Sequence, residues 1–179
     1  MMTLPTHVVV DTNVATTANA MNPGAPPECV AACGQALRHT MARGHVYIDN
    51  PRGSSTIVAE YRANLSASGQ PGPGDAFLKW LLIHEWAGRR VTRVKITPRG
   101  EDPENYRELP TPADGTDYDP SDRKFLAVSA AHPSRPSILQ AFDSKWWGWR
   151  SALAKIGVRI EFLCPEAIAA KHCEKMGPR

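Results

Sequence analysis

The chain has 179 residues, 42% of them apolar and 22% charged, with a formal net charge of +3. That is ordinary globular usage at a length that fills one domain with a full-sized core, expected over residues 1–179 with no linker dividing it. No stretch approaches the ~20 apolar residues of a membrane helix, and Met1-Met2-Thr3-Leu4-Pro5 has neither the basic start nor the apolar run of a signal peptide, so a cytoplasmic protein without membrane contact is expected.

The first element is a β-branched run, His7-Val8-Val9-Val10-Asp11-Thr12-Asn13, whose valines read as a short buried strand. Pro26-Pro27-Glu28 opens a helix to Arg43 with Gly44 as its stop, and His45-Val46-Tyr47-Ile48-Asp49 is a second strand. Ser54-Ser55-Thr56 offers caps for a helix to Leu65; after a Gly/Pro turn at 69–74, Asp75 is expected to cap a helix from Ala76 to Ala87. Val91–Ile96 reads as a third, more exposed strand, and the acidic, proline-rich stretch 97–118 as a long loop. Asp119-Pro120-Ser121-Asp122 opens a helix to Ala131, and Ser137–Phe142 is a fourth strand running up to Asp143. Ser144 is placed as the cap of a helix Lys145–Ile156. Val158–Leu163 is a fifth strand, and Pro165 begins a last helix. Strands alternating with helices imply a three-layer α/β/α sandwich around a mostly parallel sheet.

Four carboxylates stand out. Asp11 and Asp143 each follow a buried strand, which places them at the sheet rim where open α/β sheets bind ligands. A buried ionised carboxylate costs several kcal/mol unless a cation or hydrogen bonds compensate. Asp122 shares its helix face with Phe125, Leu126 and Ser129. Glu60 flanks the apolar face formed by Ile57, Val58, Tyr61 and Leu65. Converging acids of this kind make an all-oxygen site for Mg²⁺ or Mn²⁺. Thr12, Asn13, Asp119 and Ser144 are the neighbouring side chains expected to support it or to add a ligand.

Residues 101–122 hold eight acids and one base, net −7, which leaves +10 on the remainder. A basic body attracts polyanions, of which nucleic acid is the commonest in a cytoplasm. The cysteines at 29, 33, 164 and 173 show no CxxC spacing; they are expected as reduced core thiols rather than a zinc site.

Val8-Val9-Val10-Asp11-Thr12-Asn13-Val14, Glu60 within Ile57-Val58-Ala59-Glu60-Tyr61, Asp119-Pro120-Ser121-Asp122-Arg123-Lys124-Phe125, and Ala141-Phe142-Asp143-Ser144 occur in the order found in PIN-domain ribonucleases, and the chain resembles that family from residue 7 to Leu163. The resemblance implies a parallel sheet between helices and Mg²⁺- or Mn²⁺-dependent endoribonucleolytic hydrolysis of single-stranded RNA. It makes Asp11, Glu60, Asp122 and Asp143 the metal ligands and catalytic residues. It also implies a nuclease that either acts alone in RNA processing or defence, or is a toxin held by an antitoxin protein, with a homodimer among the expected assemblies. Two departures are the insertion at 97–118 and Lys145, which stands where many members carry a further acid. The contrasting expectation is a non-catalytic PIN-like module that binds RNA or a protein partner. A haloacid-dehalogenase-type phosphatase would need a second Asp at position 13, where this chain has Asn.

Overall fold

The computed structural model describes residues 4–177. Its centre is an all-parallel five-stranded sheet in the order β3-β2-β1-β6-β7. The strands are β1 (His7–Val10), β2 (His45–Asp49), β3 (Val91–Val94), β6 (Ser137–Gln140) and β7 (Ile160–Phe162). Val8, Val9 and Val10 are fully buried, as a central parallel strand covered on both faces requires. In the three-layer α/β/α arrangement seven helices flank the sheet: α1 (Thr12–Ala18), α2 (Pro27–Arg43), α3 (Thr56–Asn64), α4 (Pro73–His84), α5 (Arg123–Ala131), α6 (Ser144–Lys155) and α7 (Pro165–Met176). Helices α1, α2 and α4 pack together, α5 lies over β1, β2 and β6, and α6 pairs with α7. None of these helices is long and apolar enough to cross a membrane.

The strand order positions the site. The chain leaves β1 for β2 and β3 on one side, then returns to place β6 and β7 on the other. The carboxyl ends of β1 and β6 therefore flank the topological switch point, the crevice where open α/β sheets take ligands. Val8, Val9 and Val10 pair with Ser137, Ile138 and Leu139, which sets the ends of the two strands level.

Several elements differ from the sequence-based expectation. Helix α1, which the sequence reading did not place, follows β1 directly with Thr12 and Asn13 as its first residues. Three threonines make its helix propensity poor, but Asp11 caps it and Val14, Ala15 and Ala18 are buried. Helix α4 begins at Pro73, not Ala76. Its N-cap is Gly72, and Asp75 lies in the first turn, where it accepts from Gly72 N–H (2.9 Å) and Ser66 N–H (2.7 Å). The helix starts early because Gly74 lets the backbone touch α1: a Cβ there would lie 2.2 Å from the Ala15 carbonyl oxygen.

The stretch 97–118 is not all loop. It carries the antiparallel pair β4 (Pro98–Arg99) and β5 (Asp102–Tyr106), and Tyr106, Leu109 and Tyr118 enter the core. Four of its six acids are tied down: Arg123 pairs with Asp102 and Asp117, Lys155 with Asp114, and Glu108 accepts Thr97 N–H. Asp143, not Ser144, caps α6, accepting Lys145 N–H at 3.1 Å, and Ser144 is the helix's first residue.

Cys29 and Cys164 are joined in a disulfide, with Cα atoms 5.4 Å apart, instead of being reduced. They are 135 residues apart, and only the packing of α2 against the start of α7 brings them together; no spacing along the chain encodes that meeting. Cys33 is a buried free thiol and Cys173 an exposed one.

Candidate metal centre

Four aspartates lead into helices or turns next to the sheet, and comparing their two oxygens separates capping from anything further. Asp49, at the end of β2, is wholly used. It accepts from Ser55 Oγ (2.6 Å), Thr56 N–H (2.9 Å) and Ile57 N–H (2.9 Å), plus the Thr56 hydroxyl, and so pins the start of α3. Asp11 gives only Oδ1 to its helix cap, accepting Asn13 N–H at 2.7 Å. Asp119 gives Oδ1 to Ser121 N–H and Oγ at 3.1 and 2.7 Å, and Asp143 gives Oδ1 to Lys145 N–H. In all three, Oδ2 is left for other partners.

Asp122 does no capping. It ends a 3₁₀ turn, Pro120–Asp122, that runs into α5, and its side chain accepts no backbone hydrogen bond. It is buried, and its Oδ2 has no hydrogen-bond partner of acceptable geometry. The charge nearest to it is the Lys145 ammonium at 3.2 Å.

Lys145 Nζ collects the remaining oxygens. It lies 2.7 Å from Asp119 Oδ2, 3.2 Å from Asp122 Oδ2 and 3.5 Å from Asp143 Oδ2. Burial works against its charge, but the hydrogen bond to Asp119 and the charges of Asp122 and Asp143 outweigh it and hold the ammonium above its usual pKa. Lys124, itself buried, pairs with Glu60 Oε2 at 2.5 Å and donates to the Ser121 carbonyl. Four carboxylates thus face two ammoniums.

Asp11 feels the whole group. Burial pushes its carboxyl well above the usual range, and the charges of Asp122, Glu60 and Asp143 push it further against the pull of Asn13 N–H. Asp122 is raised to about 6, by burial first and then by Asp143 and Asp119, with Lys145 pulling the other way. Asp119, held by Lys145 and Ser121, falls to about 2. Tyr61 donates its hydroxyl to the Val10 carbonyl. Burial, then Asp11, Glu60 and Asp49, raise its pKa.

The structure therefore brings Asp11, Glu60, Asp122 and Asp143 into one electrostatic neighbourhood, with Asp119 at its edge. Among the supporting residues, Asn13 Oδ1 accepts Phe142 N–H at 2.6 Å and ties β1 to the end of β6. Thr12 is buried and its Oγ1 has no partner. Ser144 contributes its carbonyl to His172 Nδ1 rather than a contact with the acids. Two residues had escaped notice as parts of the group, Gln140 and Lys124. Gln140 is fully buried and donates Nε2 to Asp11 Oδ2 at 3.0 Å while its Oε1 accepts Ala141 N–H. The only sequence signal for it is an amide ending an apolar strand. Lys124 carries no such signal, whereas Lys145, noted in the sequence as standing in the place of an acid, proves to be the counterion of three.

The donor set suits a hard divalent cation: all oxygen, anionic, and including a buried carboxylate oxygen that meets only the Lys145 ammonium and a buried hydroxyl without a hydrogen-bond partner. No three of these carboxylates bring oxygens within 4.8 Å of one another among the described residues. No family model, curated protein or solved structure matches the chain.

Proposed function

We propose that this protein is a PIN-like, metal-dependent endoribonuclease that hydrolyses single-stranded RNA in the cytoplasm. The observation that carries the proposal is Asp122. It is a buried acid with no capping role, its Oδ2 lacks a hydrogen bond, and Asp143 and Asp119 beside it help raise its carboxyl to about 6. Retaining such a group costs stability, and perturbed acids in a cleft mark functional sites. Its position at the switch point of the sheet supports the same reading.

Asp11, Asp122 and Asp143 would hold Mg²⁺ or Mn²⁺, with Glu60 on the flank. When bound, such an ion supplies an activated water and neutralises charge on the phosphate. The chain's own residues do the positioning. Gln140 fixes the orientation of the Asp11 carboxylate, and Asn13 holds the ends of β1 and β6 together. Lys145, exposed and lying beside three carboxylates, is the cation placed to meet a phosphate oxygen once the acids have another counterion. The +10 carried outside residues 101–122 draws the RNA backbone toward the body.

Lys145 also favours a second reading, a PIN-like module that binds RNA or a partner such as an antitoxin without cutting, in which the ammonium is the permanent counterion of the acids. Purified protein incubated with labelled single-stranded RNA separates the two. Cleavage with Mn²⁺ or Mg²⁺ that stops with EDTA and in Asp11→Asn and Asp143→Asn supports the nuclease. RNA retention without cleavage at any metal concentration supports the module. Single-stranded DNA and duplex RNA, as parallel substrates, define the preference.

A further inference from the structure

Away from the carboxylates, three of the chain's four cysteines meet at one point. Cys29 and Cys33 are one turn apart on α2, and Cys164 caps the start of α7. All three are buried, and their sulfur atoms lie within 4.8 Å of one another. The Cys29–Cys164 disulfide has no need of Cys33. A third sulfur in its immediate company gives the spot a ligand set as well as a cross-link. Tetrahedral zinc with Zn–S bonds of about 2.3 Å sets its sulfurs about 3.8 Å apart, within that radius. A cavity of about 260 Å³ opens at Cys29 and Cys164, with Glu28 and Glu166 among its lining residues, so a fourth ligand such as water has access.

We infer that Cys29, Cys33 and Cys164 form a redox-gated binding site for a soft, zinc-type cation. In the oxidised protein the disulfide occupies two of the three ligands and the site is closed. A dithiol reductant opens it: the Cys29–Cys164 S–S bond breaks, each sulfur gains a proton, and the reductant leaves as its own disulfide. Zinc then forms three Zn–S bonds while the three thiols release three protons to water. Disulfide and metal are alternative cross-links between α2 and α7, and in a reducing compartment the metal form is the one that persists.

Co²⁺ serves as the probe, because a thiolate-rich tetrahedral site gives it ligand-to-metal charge-transfer absorbance and intense visible bands. The full chain, reduced with dithiothreitol and desalted without oxygen, should bind one Co²⁺ with both signals, and one equivalent of Zn²⁺ should bleach them. The oxidised chain should show neither. Cys173→Ser, altering the exposed cysteine, should behave like wild type. Cys33→Ser should bind more than about a hundredfold more weakly, beyond the ten- to hundredfold cost of disturbing only a supporting residue. Its integrity is checked by circular dichroism and by its single free thiol after oxidation. The comparison of oxidised and reduced wild type stands even if that variant does not fold. The inference is overturned if reduced wild type gives no thiolate charge-transfer band, if the oxidised protein gives the same band, or if a folded Cys33→Ser binds Co²⁺ as wild type does.

Discussion

Replacing Asp122 by Asn tests whether this acid is held at a cost. Its carboxyl moves from 3.8 to about 6 on folding. At 1.36 kcal/mol per pH unit, that displacement corresponds to about 3 kcal/mol. The sign follows from the folded state binding the proton more tightly: stability is fully present below pH 3.8 and is lost as the pH rises through about 6. Asparagine keeps the shape and cannot ionise. In EDTA at pH 7, Asp122→Asn should therefore be about 1–3 kcal/mol more stable than wild type, raising Tm by about 2–10 °C for a chain of this size. Because the displacement already includes the attraction of Lys145, losing that ion pair is contained in the figure. Urea denaturation followed by tryptophan fluorescence from pH 4.5 to 8 measures it, and the difference between the two proteins should grow with pH and level off above about 6. Saturating Mn²⁺ should cancel or reverse the difference, since a ligand at a hundred times its Kd adds about 2.7 kcal/mol to the protein that binds it. A variant less stable than wild type at pH 7 without metal, with an unchanged pH slope, would mean that Asp122 is simply the structural counterion of Lys145.

Three further outcomes are expected. Asp119→Ala removes the cap of the Pro120–Asp122 turn and should cost about 0.5–2 kcal/mol while cleavage persists; because Asp119 is held near 2, the deficit should close as the pH falls toward that value in thermal melts. Asp49→Ala should lose about 1–3 kcal/mol by stripping α3 of its anchor, and Mn²⁺ titration of the folded variant should match wild type. Lys145→Met should raise the Asp122 carboxyl further, seen by carbon NMR titration, and lower the half-saturating Mn²⁺ concentration; an unmoved Asp122 would show that the Lys145 contact has no electrostatic weight.

The strands were legible because a parallel sheet covered on both faces demands continuous apolar runs, and Val8-Val9-Val10 and Ile138-Leu139 supply them. Helix α1 was not, because burial against α2 and α4 overrides the weak propensity of its threonines. The hairpin in 97–118 was hidden for a related reason: its acids look solvated in sequence, and the cations that pair with Asp102, Asp114 and Asp117 are Arg123 and Lys155, from elsewhere in the chain. At the rim, Asp11, Glu60, Asp122 and Asp143 could be singled out from strand ends and helix faces. Their contacts could not. Gln140 reaches Asp11 across 129 residues, and Lys145 reaches Asp119 and Asp122 from the next helix. Nor does any local pattern pair Cys29 with Cys164.

The most direct test of the central claim is calorimetric titration of Mn²⁺ into the disulfide-oxidised protein at pH 7, in which the thiol ligands are withdrawn. Wild type should show saturable binding, and Asp11→Asn and Asp143→Asn should each lose it while remaining folded. Absence of saturable binding in wild type, or equal binding in both variants, would contradict a carboxylate-held metal at the ends of β1 and β6.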